Sequence, residues 1–264
     1  MASFCFDMID ETDTLLAHAA DLAARAERGE PCYTAFLTPR EQHLIKEKLR
    51  TPLFFFGGYA EAERQRAYFL PPYLEGLEEE LRAECLAPTL RESITPLRVR
   101  GSGYRSLSHR DYLGAVLHLG LDRSRIGDIV PEDEHSAILF ADTLLCDFLT
   151  ENLTRIASDA VHTAPIVLPP DFSGPRRYQP VSDTVASPRA DAVVAALCNL
   201  PRARAQELFL RGLVEMDYEP LTHPDRAVPE GAVLTVRGFG KFTVRTLSDK
   251  TRKGRYRLLA DRHV

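Results

Sequence analysis

The sequence predicts a protein of mixed helices and sheets, of α/β or α+β layer type, built in three segments. Strand-like apolar runs alternate with helix-like ones along its first two thirds. Two proline breaks, at Pro71 and Pro72 and between Pro169 and Pro180, divide the chain. Charge divides it again. Residues 185–264 carry 14 Lys or Arg against 9 Asp or Glu and residues 1–184 carry 19 against 29, so the net charge of −5 hides a basic end on an acidic body.

In the first segment Leu15, Leu16, Ala19, Ala20, Leu22 and Ala23 recur at helical spacing, with start signals over Asp10 to Asp13 and a stop at Gly29. Thr38 caps a second helix with Pro39 and Glu41 in its first turn, ending before Pro52. Leu53 to Phe56 read as a buried strand broken by Gly57 and Gly58, followed by a short helix through Glu61, Glu63 and Arg64 and an apolar run from Tyr68 to Leu70. The middle segment runs Ile94 to Val99, Tyr112 to Leu119, Ile126 to Val130, Ala137 to Phe140, Thr143 to Leu153 and Arg155 to Pro169. Pro169 to Pro180 reads as a linker or long loop.

The last segment opens with Ser187 as a cap and Pro188 at the first helical position, and Val193, Val194 and Leu197 form a short helix. Pro201 starts another, in which Ala205, Leu208, Phe209 and Gly212 form the apolar stripe, leaving Arg204 and Arg211 to solvent. Short β-type runs follow at Val214 to Met216, Val233 to Arg237, Lys241 to Thr246 and Tyr256 to Ala260, so two small helices should pack on a small sheet.

The composition, 44% hydrophobic and 27% charged, is that of globular proteins, and no apolar run approaches the roughly 20 residues of a membrane span. Met1 to Asp10 lacks a basic region ahead of an apolar stretch, so a secretory signal is not expected and the cytoplasm is the expected address. Cys5, Cys32, Cys85, Cys146 and Cys198 are scattered and odd in number, which suggests buried free thiols rather than disulfides or a zinc ribbon; no structural metal is expected from the isolated histidines. Asn152 to Thr154 matches a glycosylation acceptor only by chance.

Catalytic signatures are wanting. His109, Arg110 and Asp111 spell the start of a kinase catalytic loop, but Val116 stands where that loop needs its metal-binding Asn. The pairs Gly57–Gly58 and Gly101–Gly103 lack phosphate-loop spacing and read as turns, as do Gly238 and Gly240 around Phe239. What remains is the stripe Arg237, Lys241, Arg245, Lys250, Arg252, Lys253, Arg255 and Arg257, with Asp249 as its one acid, which can follow a phosphate backbone.

The terminal segment resembles the small RNA-binding domain named after ribosomal protein S-four. Ser187, Pro188, Arg189, Ala190 and Asp191 stand where that family has its Ser-x-Arg-Leu-Asp opening, Arg202 and Ala205 begin the second helix, and Gly212, Val214 and Asp217 follow its Gly-x-Val-x-x-Asn turn. Ala190, Pro201, Asp217 and Ala232 depart from the usual Leu, Ser, Asn and Asp. Upstream, Phe56 to Tyr59 with Ala62 to Arg64, then His109 to Gly114, Leu119 to Leu121 and Arg125 to Ile129, are similar to the bacterial YlmH family, as are Gly238, Gly240 to Phe242 and Lys253 to Arg255.

That resemblance implies an α+β protein with a small N-terminal α/β domain over residues 1–72, a central RRM-like α/β plait domain over 73–170 and an S-four-like (αL motif) module over 181–264. It implies no enzymatic activity and no cofactor. The implied partners are rRNA and tRNA on the large ribosomal subunit during quality control, where an alanine tail is added to stalled chains, with a link to cell division; neither membrane nor DNA is expected. The residues expected to hold RNA are Ser187, Arg189, Asp191, Arg202, Arg204, Gln206, Arg211, Arg237, Lys241, Arg245, Lys253 and Arg255. The rivals are an RNA-modifying enzyme, a pseudouridine synthase or rRNA methyltransferase, whose signatures are missing, and a protein-interaction platform on the acidic body.

Overall fold

The computed structural model describes residues 2–169, 172–174, 178–248, 251 and 254–263, with side chains from residue 12 onward. Lys250, Arg252 and Lys253, three cations of the basic stripe, lie outside the described residues. The chain forms two compact units, residues 1–175 and 176–264. Among the described residues no helix is long and apolar enough to cross a membrane.

The first unit opens with α1 (Ala2–Ala26), β1 (Cys32–Tyr33), α2 (Pro39–Lys48), β2 (Leu53–Phe56) and β3 (Arg66–Phe69), whose strands pair antiparallel in the order β1-β3-β2. The α2 cap is the expected one: the Thr38 hydroxyl accepts the Glu41 N–H at 3.3 Å while Glu41 Oε2 accepts the Thr38 N–H at 2.6 Å, satisfying two donors that a helix start otherwise leaves open. Leu22, Ala23 and Ala26 of α1 and Ile45 of α2 pack on Ala67 and Phe69. Helix α1 starts well before the acids at Asp10 to Asp13, and β2 is half-buried at a sheet edge rather than fully buried. Residues 59–65 form turns instead of the expected short helix.

Next come α3 (Pro72–Glu75) and α4 (Glu79–Ser93), neither of which the residue pattern signals, and then β4 (Ile94–Gly101), α5 (His109–His118), β5 (Ile126–Pro131), β6 (Ser136–Asp142), α6 (Cys146–Asn152), β7 (Arg155–Ile156) and β8 (Asp159–Pro165). The five strands run β5-β6-β4-β8-β7, all antiparallel. Without the short β7, this is the order of a split βαβ plait. Arg155 to Pro169, expected as one stretch, folds back at Ala157 into the β7–β8 hairpin and leaves its sheet after Pro165. Helices α5 and α6 cover one face, through Tyr112, Val116 and Leu149 on Leu97, Val99, Ile129 and Leu139.

The other face of the plait is covered as well. Ile138 and Phe140 of β6 and Val130 of β5 lie under Phe36, Tyr59 and Ala62, with Phe172 at their margin. Thus the segment before Pro71 and Pro72 shares a core with the segment after them, and the proline pair only starts α3.

The second unit contains β9 (Tyr178–Val185), α7 (Ala190–Leu197), α8 (Arg202–Leu210), β10 (Val214–Met216), β11 (Glu219–Pro220), β12 (Val233–Val236), β13 (Gly240–Thr246) and β14 (Tyr256–His263), in a sheet of order β11-β10-β12-β13-β14-β9. Part of the expected linker is thus strand. Pro180 is tolerated there because β9 is an edge whose one neighbour is β14. Val193, Val194, Leu208 and Phe209 of the two helices bury against Leu234, Val236, Phe242, Val244 and Leu258, each large side chain contributing about 1.5–3 kcal/mol.

The thiols are free among the described residues, but only Cys32 is buried; Cys85 is exposed on α4, contrary to the expectation of five buried thiols. Cys5 lies outside the described side chains.

Candidate nucleic-acid interface

Helix α7 begins two residues later than Ser187 and Pro188 suggest, with Arg189 as its cap. Its first N–H groups need no side-chain cap, because the Ala190 N–H donates to the Arg226 carbonyl at 2.9 Å and the Asp191 N–H to that of Pro224 at 2.8 Å. Ser187 is half-buried just ahead of this junction.

The position of Asp191 changes its expected role. Its side chain is fully buried and therefore cannot touch RNA. Arg202 donates to it through Nε at 3.0 Å and Nη2 at 2.8 Å, Arg189 donates at 3.3 Å and Gln206 Nε2 at 3.1 Å. Burial alone would raise the pKa of this carboxyl, but the bonds from Arg189, Gln206 and Arg202 outweigh it and hold it below the usual range. The carboxylate so fixes two guanidinium groups, 42% and 53% exposed, at the adjoining starts of α7 and α8. Anchored in this way, each can meet a phosphate with little rotamer freedom left to lose.

Arg202 and Arg204, both expected to hold RNA, do not share a face. Two residues apart on a helix they diverge by roughly 200°. Gln206 joins Arg202, whereas Arg204 pairs with Glu207 at 2.7 Å on the side that leads to Arg211. Arg255 returns to the first group: it donates from Nε to the Thr184 hydroxyl at 3.0 Å and shares with Arg202 a groove of about 320 Å3 floored by Ala192, Ala195 and Ala196.

The remaining cations lie elsewhere on the unit. Strand alternation turns Phe242 and Val244 into the core and Lys241 to the opposite face of the sheet, where its ammonium stands 5.0 Å from the Tyr218 ring. Tyr218 is presented by the two-residue β10–β11 turn, in which Asp217 and Tyr218 both have positive φ and the Asp217 carboxylate accepts the Val233 N–H at 2.9 Å. Arg245, at a β-bulge, pairs with Asp261 at 2.6 Å. Arg237 sits in the β12–β13 turn, beside Gly238 with φ of 88°.

Among the described residues of this unit Arg211, Arg226, Arg237 and Arg257 are exposed and have no hydrogen-bonded or ionic side-chain partner. Arg226 was not anticipated, being a lone arginine whose place beside Arg189 exists only once the 224–226 loop closes on α7.

In the first unit the other quoted motifs meet. Asp128 accepts the Tyr59 hydroxyl at 2.7 Å and the N–H groups of Glu63 at 2.6 Å and Arg64 at 3.0 Å. Arg64 in turn donates to the carbonyls of Ile126 at 3.1 Å and Phe36 at 3.0 Å. Gly58, at φ of 102°, faces Phe140 so closely that a β-carbon would lie 2.3 Å from its ring. These residues join the two sheets, and that joint is what covers Phe140, on the sheet face that RNA-recognition motifs use to stack bases.

The two units define a class: an α+β protein with a split βαβ plait ahead of a separate module in which two helices on a sheet present anchored arginines. Residues 100–168 match the family model described as "Putative RNA-binding domain in YlmH". Over 234 residues the chain is 33% identical to the ribosome-associated protein quality control protein P2 of Bacillus subtilis (strain 168), covering 87% of this chain and 86% of that protein. The solved cell division protein YlmH of Streptococcus pneumoniae, 15% identical, aligns over 62% of this chain and 92% of its own with a TM-score of 0.44. The chain belongs to the YlmH family.

Proposed function

We propose that the chain is a non-catalytic RNA-binding protein that acts on the ribosome, holding folded rRNA and tRNA on the large subunit during quality control of stalled chains, in the cytoplasm. The kinship with a ribosome-associated quality control protein supports the setting. The observation that carries the reading is the Asp191 clamp, which holds Arg189 and Arg202 half-exposed at two helix starts, with Arg226 and Arg211 exposed and without partners among the described residues of the same unit. Guanidinium forks suit phosphate oxygens, and the grooves of A-form RNA hide base edges, so contacts to the backbone and its shape dominate.

The test is titration of the full chain against tRNA and deproteinised rRNA in rising salt. Log affinity should fall linearly with log salt, and replacing Arg211 and Arg237 with Gln should reduce the slope by about 2 without lowering Tm, since both side chains are exposed and have no partner among the described residues. Affinity indifferent to salt would contradict the reading.

A further inference from the structure

The His109–Arg110–Asp111 stretch, which the kinase comparison left unexplained, lies at the start of α5 in the first unit. Arg110, Gly114 and His118 recur every four residues and so share one face of that helix, while Tyr112 and Val116 are buried on the other. Asn152, Thr154 and Arg155, from the end of α6 and the start of β7, form the opposite wall of a groove of about 600 Å3. Ile156 is buried, so strand alternation turns Arg155 outward.

Three features of this groove have no structural use in the protein. Arg110 and Arg155 are exposed and, among the described residues, have neither a hydrogen bond nor an ion pair from their side chains. Gly114 costs the helix stability relative to alanine, yet nothing lies within 4 Å of where its β-carbon would be, so packing does not demand it. Its lack of a side chain leaves the helix backbone open between the two arginines. The single acid in the lining, Asp111, is committed to the α5 cap: its carboxylate accepts the Ser108 N–H at 2.8 Å and Oγ–H at 2.6 Å, with Arg105 3.8 Å away. Meanwhile the sheet face on which an RNA-recognition motif stacks bases is here covered over Ile138 and Phe140.

We propose that this groove is a second RNA site, on the helical side of the plait, which takes the sugar-phosphate backbone of folded RNA with Arg110 and Arg155 as its phosphate contacts and Gly114 as the point of closest approach. It rests on the RNA-binding reading above and adds a contact on the first unit to those of the second.

The experiment is filter binding of the full chain to rRNA extracted from large ribosomal subunits, across a salt series. Arg110→Gln with Arg155→Gln should weaken binding about tenfold near 0.1 M salt and lower the salt slope by about 2. Gly114→Gln, which fills the groove with a good helix former, should leave Tm unchanged or higher and still weaken binding at least about threefold. If the Arg110 and Arg155 variant binds like the parent while the Arg211 and Arg237 variant is weakened, the second site is refuted and the RNA-binding reading stands. If the parent itself does not bind, both fall.

Discussion

Asp191 shows how one buried acid organises several exposed cations. Because the fold holds it more acidic than an unfolded carboxyl, which titrates near 3.9, its stabilisation is complete above about pH 5 and is lost as pH falls through its folded value. Asp191→Asn should therefore cost about 2–4 kcal/mol at pH 7, an amount that shrinks toward zero in urea melts at progressively lower pH. A constant difference between parent and variant from pH 7 to 3 would contradict the clamp. The thiols give a second residue-scale prediction. Partial burial pushes the half-buried Cys198 up to about 11, so thiol reagents at pH 8 should modify the exposed Cys85 well before Cys198.

At the scale of elements the decisive feature is the joint between the two sheets of the first unit. Gly58→Ala must place a β-carbon against Phe140 at a positive φ and should destabilise by about 2–4 kcal/mol; removing the Asp128 carboxylate with Asp128→Ala should cost about 2 kcal/mol by freeing the turn at Tyr59 to Arg64. Thermal melts of the full chain check both, and an unchanged Tm for either would refute the joint. The same elements show what the sequence makes legible. Helix α2 was readable because Thr38 and Glu41 satisfy a local hydrogen-bonding rule, and α8 because its apolar stripe follows one period. Helix α4 was not, since it carries Pro88 and of its apolar residues buries only Leu86, and β9 was hidden because Pro180 argues against a strand and its partner, β14, lies some eighty residues away. The candidate site was legible in residue type but not in geometry: of the stripe, Arg237 falls in a turn, Lys241 on the sheet face away from the helices, Arg245 at a bulge beside Asp261 and Arg255 beside Arg202, and the burial of Asp191 depends on how two helices meet.

For the whole molecule, the acidic average is the misleading quantity and the distribution of unpaired arginines the informative one. Among the described residues, exposed guanidiniums without a hydrogen-bonded or ionic partner occur in both units, Arg110 and Arg155 among those of one and Arg211, Arg226, Arg237 and Arg257 in the other, whereas Arg204 and Arg245 pair with the neighbouring carboxylates of Glu207 and Asp261. A net charge of −5 then discourages indiscriminate adhesion to nucleic acid while local patches still engage a shaped one. The most direct measurement is sedimentation of the purified full chain with separated ribosomal subunits through a salt series. It should pellet with large subunits at low salt and be released as salt rises. A chain that stays in the supernatant with both subunits, even in dilute buffer, would contradict the account.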